Sequence, residues 1–355
     1  MALTLAVSGL TAAGQTTYYV AANGNDANVG RSESAPFQTL GKVSSLTLQP
    51  GVAALRLQPG DSVLFRRGDT FRGTVQVRQS GTSSQPIALD AYGSGAKPVL
   101  AGSVLVTGWS NVGGNVWQAS CAACGSRVTG LYRDGSSLPL GRYPNPDAPN
   151  KGYLTVQSHS GKNSLTSQQG LPANFTGGEA VYRPLQWILN RATITGQNGN
   201  TLSLNNPNSY DIADGWGFFV QNHPATLDQN GEWCYDAGSK TLRLVSDANP
   251  NGQSIAATAF GEAVNLNNAS NVSVRNLTLT QTLSAGLLAN GGSGLTIAGN
   301  DITNSGENGL YFDGAGNTLL VENNLIEAAN NNGFTVQPYQ NVTFRGNTVR
   351  RVGLW

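Results

Sequence analysis

Between residues 256 and 355 the apolar positions fall in short strands that repeat at a fixed step. Val272-Ser273-Val274, Leu295-Thr296-Ile297, Leu319-Leu320-Val321 and Val342-Thr343-Phe344 each run into an Asn-containing turn: Arg275-Asn276, Gly299-Asn300, Asn323-Asn324 and Gly346-Asn347. The Asn-to-Asn steps are 24, 24 and 23 residues. A second strand follows each turn, at Leu277–Leu279, Ile302, Ile326 and Val349. A third closes the coil, at Gly286-Leu287-Leu288, Gly309-Leu310-Tyr311 and Gly333-Phe334-Thr335. Internal repetition at this period marks a solenoid. Three strands per coil of about 23–24 residues predict an all-β, right-handed, three-sided parallel β-helix. Within each strand alternate side chains enter the bore. Asn recurs at one corner because a buried turn leaves backbone amides in need of partners, which stacked carboxamides can supply. A leucine-rich repeat has a similar period, but here the strands are separated by Gly/Asn turns and not by helical patterns.

The same period appears earlier. Val63-Leu64-Phe65 and Ile87-Ala88-Leu89 lie 24 apart, with the alternating Phe71-x-Gly73-x-Val75-x-Val77 between them. The expected organisation is a cap and first coils over residues 16–102, an inserted β-rich subdomain over 103–255, and further coils over 256–355. An insertion of that length exceeds a simple loop. It carries alternating strands such as Val128–Tyr132, Ala180-Val181-Tyr182 and Thr241–Leu244, punctuated by Asp134-Gly135, Gln197-Asn198-Gly199 and Asn230-Gly231. The sequence stops at Trp355, mid-coil by this count, which suggests a truncated chain, since an uncovered solenoid end exposes strand edges.

Composition narrows the function classes. Twenty-one Lys+Arg nearly balance twenty Asp+Glu, which argues against a nucleic-acid partner. Residues 1–15, MALTLAVSGLTAAGQ, resemble the apolar part and small-residue cleavage region of a secretory signal peptide, so export of the bacterial type is expected, to the extracellular space or cell surface. No later run is apolar enough to cross a membrane. Cys121 and Cys124 form one C-x-x-C with only two histidines in the chain, so a local disulfide is expected, with Cys234 left over, and no metal site.

Several stretches carry a resemblance. Tyr18-Tyr19-Val20, Asn23-Gly24-Asn25-Asp26, Pro36-Phe37-Gln38-Thr39-Leu40 and Pro59–Phe65 resemble the opening of secreted bacterial β-helix proteins of the pectate-lyase-like superfamily. Gly141-Arg142-Tyr143-Pro144-Asn145 and Leu227-Asp228-x-x-Gly231-Glu232-Trp233-x-x-Asp236 are similar to segments of β-helix glycoside hydrolases with a β-rich insertion. The resemblance implies an exported protein acting on a polysaccharide or oligosaccharide, with its chemistry on the outer face of the stacked strands.

Glycoside hydrolysis needs two carboxyl groups, one to protonate the leaving oxygen and one to attack or to activate water. Asp313 and Glu307 flank the strand around Tyr311 and are the candidate catalytic residues. Carboxylates one coil apart would have suitable spacing, and no convincing pair of that kind appears. Tyr311, Trp187, Trp216 and Tyr143 offer flat apolar faces to a sugar ring, and Arg345 could meet an acidic sugar. Asp228, Glu232 and Asp236 fit turn roles better than catalysis. No cofactor is expected for a hydrolase. A polysaccharide lyase, which commonly uses calcium, and a non-catalytic surface or structural β-helix protein are the rival readings. The sequence leaves the oligomeric state open.

Overall fold

The computed structural model describes residues 15–48 and 56–353. The signal-peptide reading of residues 1–15 falls, except for Gln15, outside the described residues. The chain divides into two compact units, one running up to Gly102 and on from Phe260, the other Ser103–Ala259.

The first unit is the solenoid. Its first face is a parallel sheet of seven strands, Thr17–Val20, Ser62–Arg66, Ile87–Tyr92, Val272–Arg275, Leu295–Ala298, Gly316–Glu322 and Tyr339–Arg345. The second face has six, Thr70–Arg72, Val99–Ala101, Thr278–Thr282, Asp301–Ser305, Leu325–Ala329 and Thr348–Val352. The third has five, Val75–Gln76, Glu262–Asn265, Ala285–Asn290, Asn308–Asp313 and Phe334–Val336. The coils on either side of the insertion pair directly, with Ile87 opposite Val272, Val75 opposite Val264 and Val99 opposite Thr278. The solenoid therefore continues in register across an interruption of more than 150 residues. Its bore is filled by one apolar cluster that runs from Tyr18, Phe37 and Val63 through Val264, Leu287 and Ile297 to Phe312 and Ile326.

The Asn ladder takes a form shifted from the sequence alignment. Thr278 pairs with Asp301, so Asn300 lies over Leu277, and Asn276 lies over Gly299. Asn276, Gly299, Asn323 and Gly346 all have φ between 55° and 66°. That left-handed conformation favours Gly and Asn, which is why only these two types occupy the position. The next position carries the buried ladder. Asn300 Oδ1 accepts from Leu277 N (3.0 Å), Asn324 Oδ1 from Asn300 N (2.9 Å), and Asn347 Oδ1 from Asn324 N (2.9 Å). Their Nδ2 groups donate to the carbonyls of Val274, Ile297 and Val321 at 2.9 Å.

The second unit is antiparallel. Gly217–Gln221, Leu154–Ser160, Ser164–Ser167, Thr201–Asn205, Ile188–Asn198 and Glu179–Leu185 follow one another, and the last pairs back onto the first, closing a six-stranded barrel. Closure removes the strand edges. Leu165, Phe175, Ile194, Leu202 and Phe218 fill its interior. Two four-stranded sheets complete the unit. One contains Ser103–Leu105, Leu131–Arg133, Ser136–Leu138 and Ile255–Thr258, and the other Ser110–Gly113, Val116–Ser120, Trp233–Asp236 and Thr241–Val245. Ile255–Thr258 thus pairs antiparallel with Ser103–Leu105, and the solenoid resumes only at Glu262. A Cys121–Cys124 disulfide is present, and Cys234 is a buried free thiol whose pKa burial pushes up to about 12.

Candidate functional site

The third face of the solenoid gathers the polar chemistry. Each of its strands points one apolar set inward, such as Leu287 and Ala289, or Leu310 and Phe312. What points outward lines up across coils by register, because parallel neighbours repeat every 4.8 Å or so. One such row is Gln76, Asn265, Leu288, Tyr311 and Thr335.

A second row runs along the edge where the chain enters this face. Glu262 pairs with Ala285, and Ala285 with Asn308, so Glu307 stands two coils on from Glu262 and one position before its register mate, next to Ser284 of the coil between. Ser284 Oγ donates to Glu307 Oε2 at 3.3 Å. Asn265 Nδ2 donates to Glu262 Oε2 at 3.4 Å. Both carboxyl side chains are half-buried. Burial raises the Glu262 pKa above the ordinary carboxyl value, the negative charge of Glu307 raises it further, and the Asn265 bond opposes both. A carboxyl whose pKa is raised, beside a second carboxyl that acts on it electrostatically, is an arrangement acid–base chemistry can use. Two coil steps put the backbones roughly 9–10 Å apart.

Glu262 went unnoticed in the sequence because the expected pairing was one coil apart. A search at about two coil steps, here 45 positions against a step of 46, would have revealed it.

Glu307 and Asp313 do not converge. They lie at opposite ends of Asn308–Asp313, and six steps of extended strand separate them by about 20 Å. Asp313 Oδ1 accepts from Gly314 N at 2.8 Å, and Asp313 pairs with Asn290 on the coil before. Tyr311 stands on the same face as Glu262 and Glu307, in the outward row beside Leu288 and Thr335. Arg345 does not join them. It belongs to the first face, where its guanidinium pairs with Glu322 at 2.8 Å.

The three remaining aromatics belong to the other unit. Tyr143 stacks on Phe175 with ring centroids 5.6 Å apart and packs against the barrel core. Trp187 is 74% exposed at the turn between Glu179–Leu185 and Ile188–Asn198. Trp216 precedes the strand Gly217–Gln221, and its carbonyl accepts from Val156 N at 2.9 Å. In the same unit Glu232 is buried and accepts from the N–H groups of Asp228 (2.8 Å) and Gln229 (2.9 Å). Asp236 accepts from Gly238 N (2.9 Å) and Ser239 Oγ (2.8 Å). Both are turn-holding roles. Among the described residues no group of three or more His, Cys, Asp or Glu is arranged to hold a metal ion, and no helix is long and apolar enough to cross a membrane.

The comparisons with known proteins agree with this architecture. A family model described as a right-handed beta helix region matches residues 228–354. The solenoid has the right-handed parallel β-helix fold. It is 37% identical over 113 residues to a lacto-N-biosidase of Bifidobacterium longum subsp. longum, covering 30% of this chain and 6% of that protein. A solved glycoside hydrolase structure superposes with a TM-score of 0.65 at 15% identity, over 88% of this chain and 66% of that one. A lacto-N-biosidase structure from Eubacterium ramulus aligns with 95% of this chain and 41% of its own, at 16% identity and a TM-score of 0.42. The β-helix thus spans a small part of the curated relative and just under two thirds of the glycoside hydrolase structure.

Proposed function

We propose that this β-helix belongs to an exported, carbohydrate-active protein, a glycoside hydrolase that cleaves a polysaccharide or oligosaccharide on the third face of its solenoid. The observation that carries the reading is the raised pKa of Glu262 two coils from Glu307. The local similarity to a lacto-N-biosidase supports the substrate class. Glu262 holds its proton and gives it to the glycosidic oxygen as the bond to the anomeric carbon breaks. Glu307, held by Ser284, removes a proton from water as the water oxygen bonds to that carbon from the opposite side. The two-coil separation favours this direct displacement, with inversion, over a covalent intermediate. Tyr311 offers a ring face to a neighbouring sugar.

The test is Glu262→Gln and Glu307→Gln in the intact natural protein, assayed for reducing ends on plant, algal and host glycans. Positioned acid–base groups contribute about 10²–10⁴-fold, and each variant should lose at least a hundredfold in kcat. The alkaline limb of the wild-type pH profile reports Glu262 and should vanish with Glu262→Gln. Full activity in both variants would dismiss the pair. An unsaturated, ultraviolet-absorbing product would point to a lyase instead. Glycan binding without any cleavage would leave a binding or structural protein.

A further inference from the structure

The inserted unit holds a cavity of about 440 Å³ that shares no residue with the Glu262–Glu307 row. It opens between the start of the barrel strand Glu179–Leu185 and the hairpin formed by Trp233–Asp236 and Thr241–Val245. Its size falls within the range of small-ligand sites, about 300–1,000 Å³.

The lining is about half polar and half apolar, with Pro224, Tyr235 and Ala237 beside the charged groups. Arg243 projects from the hairpin, and among the described residues its guanidinium makes no hydrogen bond and no ion pair. Its charge nevertheless acts on His223, Cys234 and Asp236, which places it among the groups of the cavity. Glu179 lines it from the barrel, with Oε2 held by Gln221 Nε2 at 2.8 Å. Asp236 adds a second carboxylate, and Thr193 and Thr241 add hydroxyls. His223 accepts from Ala225 N at 3.1 Å through Nδ1, and burial lowers its pKa, so it is a neutral ring in the wall.

The balance of these groups identifies the ligand class. An anion would find Arg243 but would also meet Glu179 and Asp236. A cation would meet Arg243. A neutral polyol satisfies all three, because each hydroxyl both donates and accepts. A guanidinium fork matches two vicinal hydroxyl oxygens, and the carboxylates take the hydroxyl protons.

We infer that the cavity between Glu179 and Arg243 is a saccharide-binding site for a neutral mono- or disaccharide unit, separate from the site of cleavage. It would hold a glycan on the inserted unit while the solenoid acts on another part of the same or a neighbouring chain.

The experiment uses the intact protein carrying Glu262→Gln, so that binding is read without cleavage. Galactose, xylose, N-acetylglucosamine and lactose are the neutral probes, and glucuronate and sulfate the anionic ones, followed by saturation-transfer NMR and titration. At least one neutral sugar should bind, and Arg243→Ala should weaken it at least tenfold. Thr193→Phe, which fills the cavity from an exposed position and removes no charge, should do the same. Arg243→Lys, with the charge but not the fork, should fall between. In an otherwise wild-type background these changes should leave cleavage of a short soluble substrate within about twofold. Binding of no neutral probe, or binding that neither Arg243→Ala nor Thr193→Phe alters, would overturn the assignment. So would glucuronate or sulfate binding more tightly than any neutral sugar in an Arg243-dependent way. Because binding is read in a protein that cannot cleave, failure of the hydrolase reading would not register as failure here.

Discussion

The solenoid and the inserted unit solve the same problem, burying a β-sheet's apolar face while finding partners for the polar groups buried with it, in opposite ways. In the solenoid a strand's neighbour is the next version of itself, so like residues stack. Asn300 and Asn324 are fully buried, and each satisfies the one before it. In the inserted unit neighbours are antiparallel and unlike, so its buried polar groups are met one by one and not by stacking. Glu232 is held by Asp228 and Gln229, and Asn206 by the Lys162 carbonyl and the Tyr182 hydroxyl. Repetition therefore provides a background against which departures stand out. Glu262 and Glu307 are such departures, carboxyl groups on a corner where the coil between them has Ser284 and Ala285. The inserted unit has no such background, and its cavity is recognisable only from geometry.

The comparison is broken most severely at the ladder. Asn324→Ala removes the acceptor for Asn300 N and the donor for the Ile297 carbonyl, and it leaves Asn347 Oδ1 with only the bond from the backbone N of residue 324. Each orphaned buried group costs about 1–3 kcal/mol, so urea unfolding should show a loss of about 3–5 kcal/mol. Glu232→Ala orphans two N–H groups in a turn that water can reach on partial opening, and about 2 kcal/mol is expected there. Equal losses in the two units would show that stacked Asn side chains carry no more than an ordinary buried turn contact.

The difference also explains how much could be read from the sequence. The coil period, the three strands per coil and the bore-facing residues were legible because side chains alternate and coils repeat. The C-x-x-C spacing, with only two histidines in the chain, favoured the local disulfide that is present. The ladder register was not legible at its first member, because Asn276 occupies the left-handed position and Leu277, which has no carboxamide, occupies the ladder position. The carboxyl pair was hidden by a two-coil separation. Glu307 and Asp313, close in sequence, are far apart because the residues between them form an extended strand. Barrel closure, where Glu179 meets Gln221, joins segments with no shared pattern, and nothing in their residues announces it.

Protons sharpen the comparison, with a smaller effect. Glu232 and Glu262 both sit above the ordinary carboxyl pKa of 4.5, each chiefly through burial. The folded state then binds more protons than the unfolded one, so their contribution is fully favourable below the unfolded pKa and declines as pH rises through the folded value. Asp26 and Asp236 sit below theirs and act in the opposite sense, losing stabilisation as pH falls. Glu262→Gln and Glu232→Gln should each gain stability relative to wild type as pH rises from about 4.5, most clearly as the double variant. Unfolding curves at pH 4 and pH 7 decide this; a difference that does not change with pH would remove the burial argument for both groups.

The smallest effect is expected on the solenoid's first face, and it tests where the substrate lies. Arg345 Nη2 and Nε both reach Glu322 Oε2, at 2.8 and 3.0 Å, across one coil. The Arg345 side chain is 68% exposed and the pair is open to salt. Exposed pairs of this kind contribute about 0–1 kcal/mol, so Arg345→Ala should shift unfolding by no more than about 0.5 kcal/mol, and 1 M salt should erase the shift. Cleavage should be unaffected, because Arg345 and the Glu262–Glu307 row occupy different faces of the coil. A tenfold fall in kcat/KM with unchanged stability would mean that the glycan lies along the first face. The carboxyl pair on the third face would then be a buried electrostatic feature of the corner, with no part in cleavage.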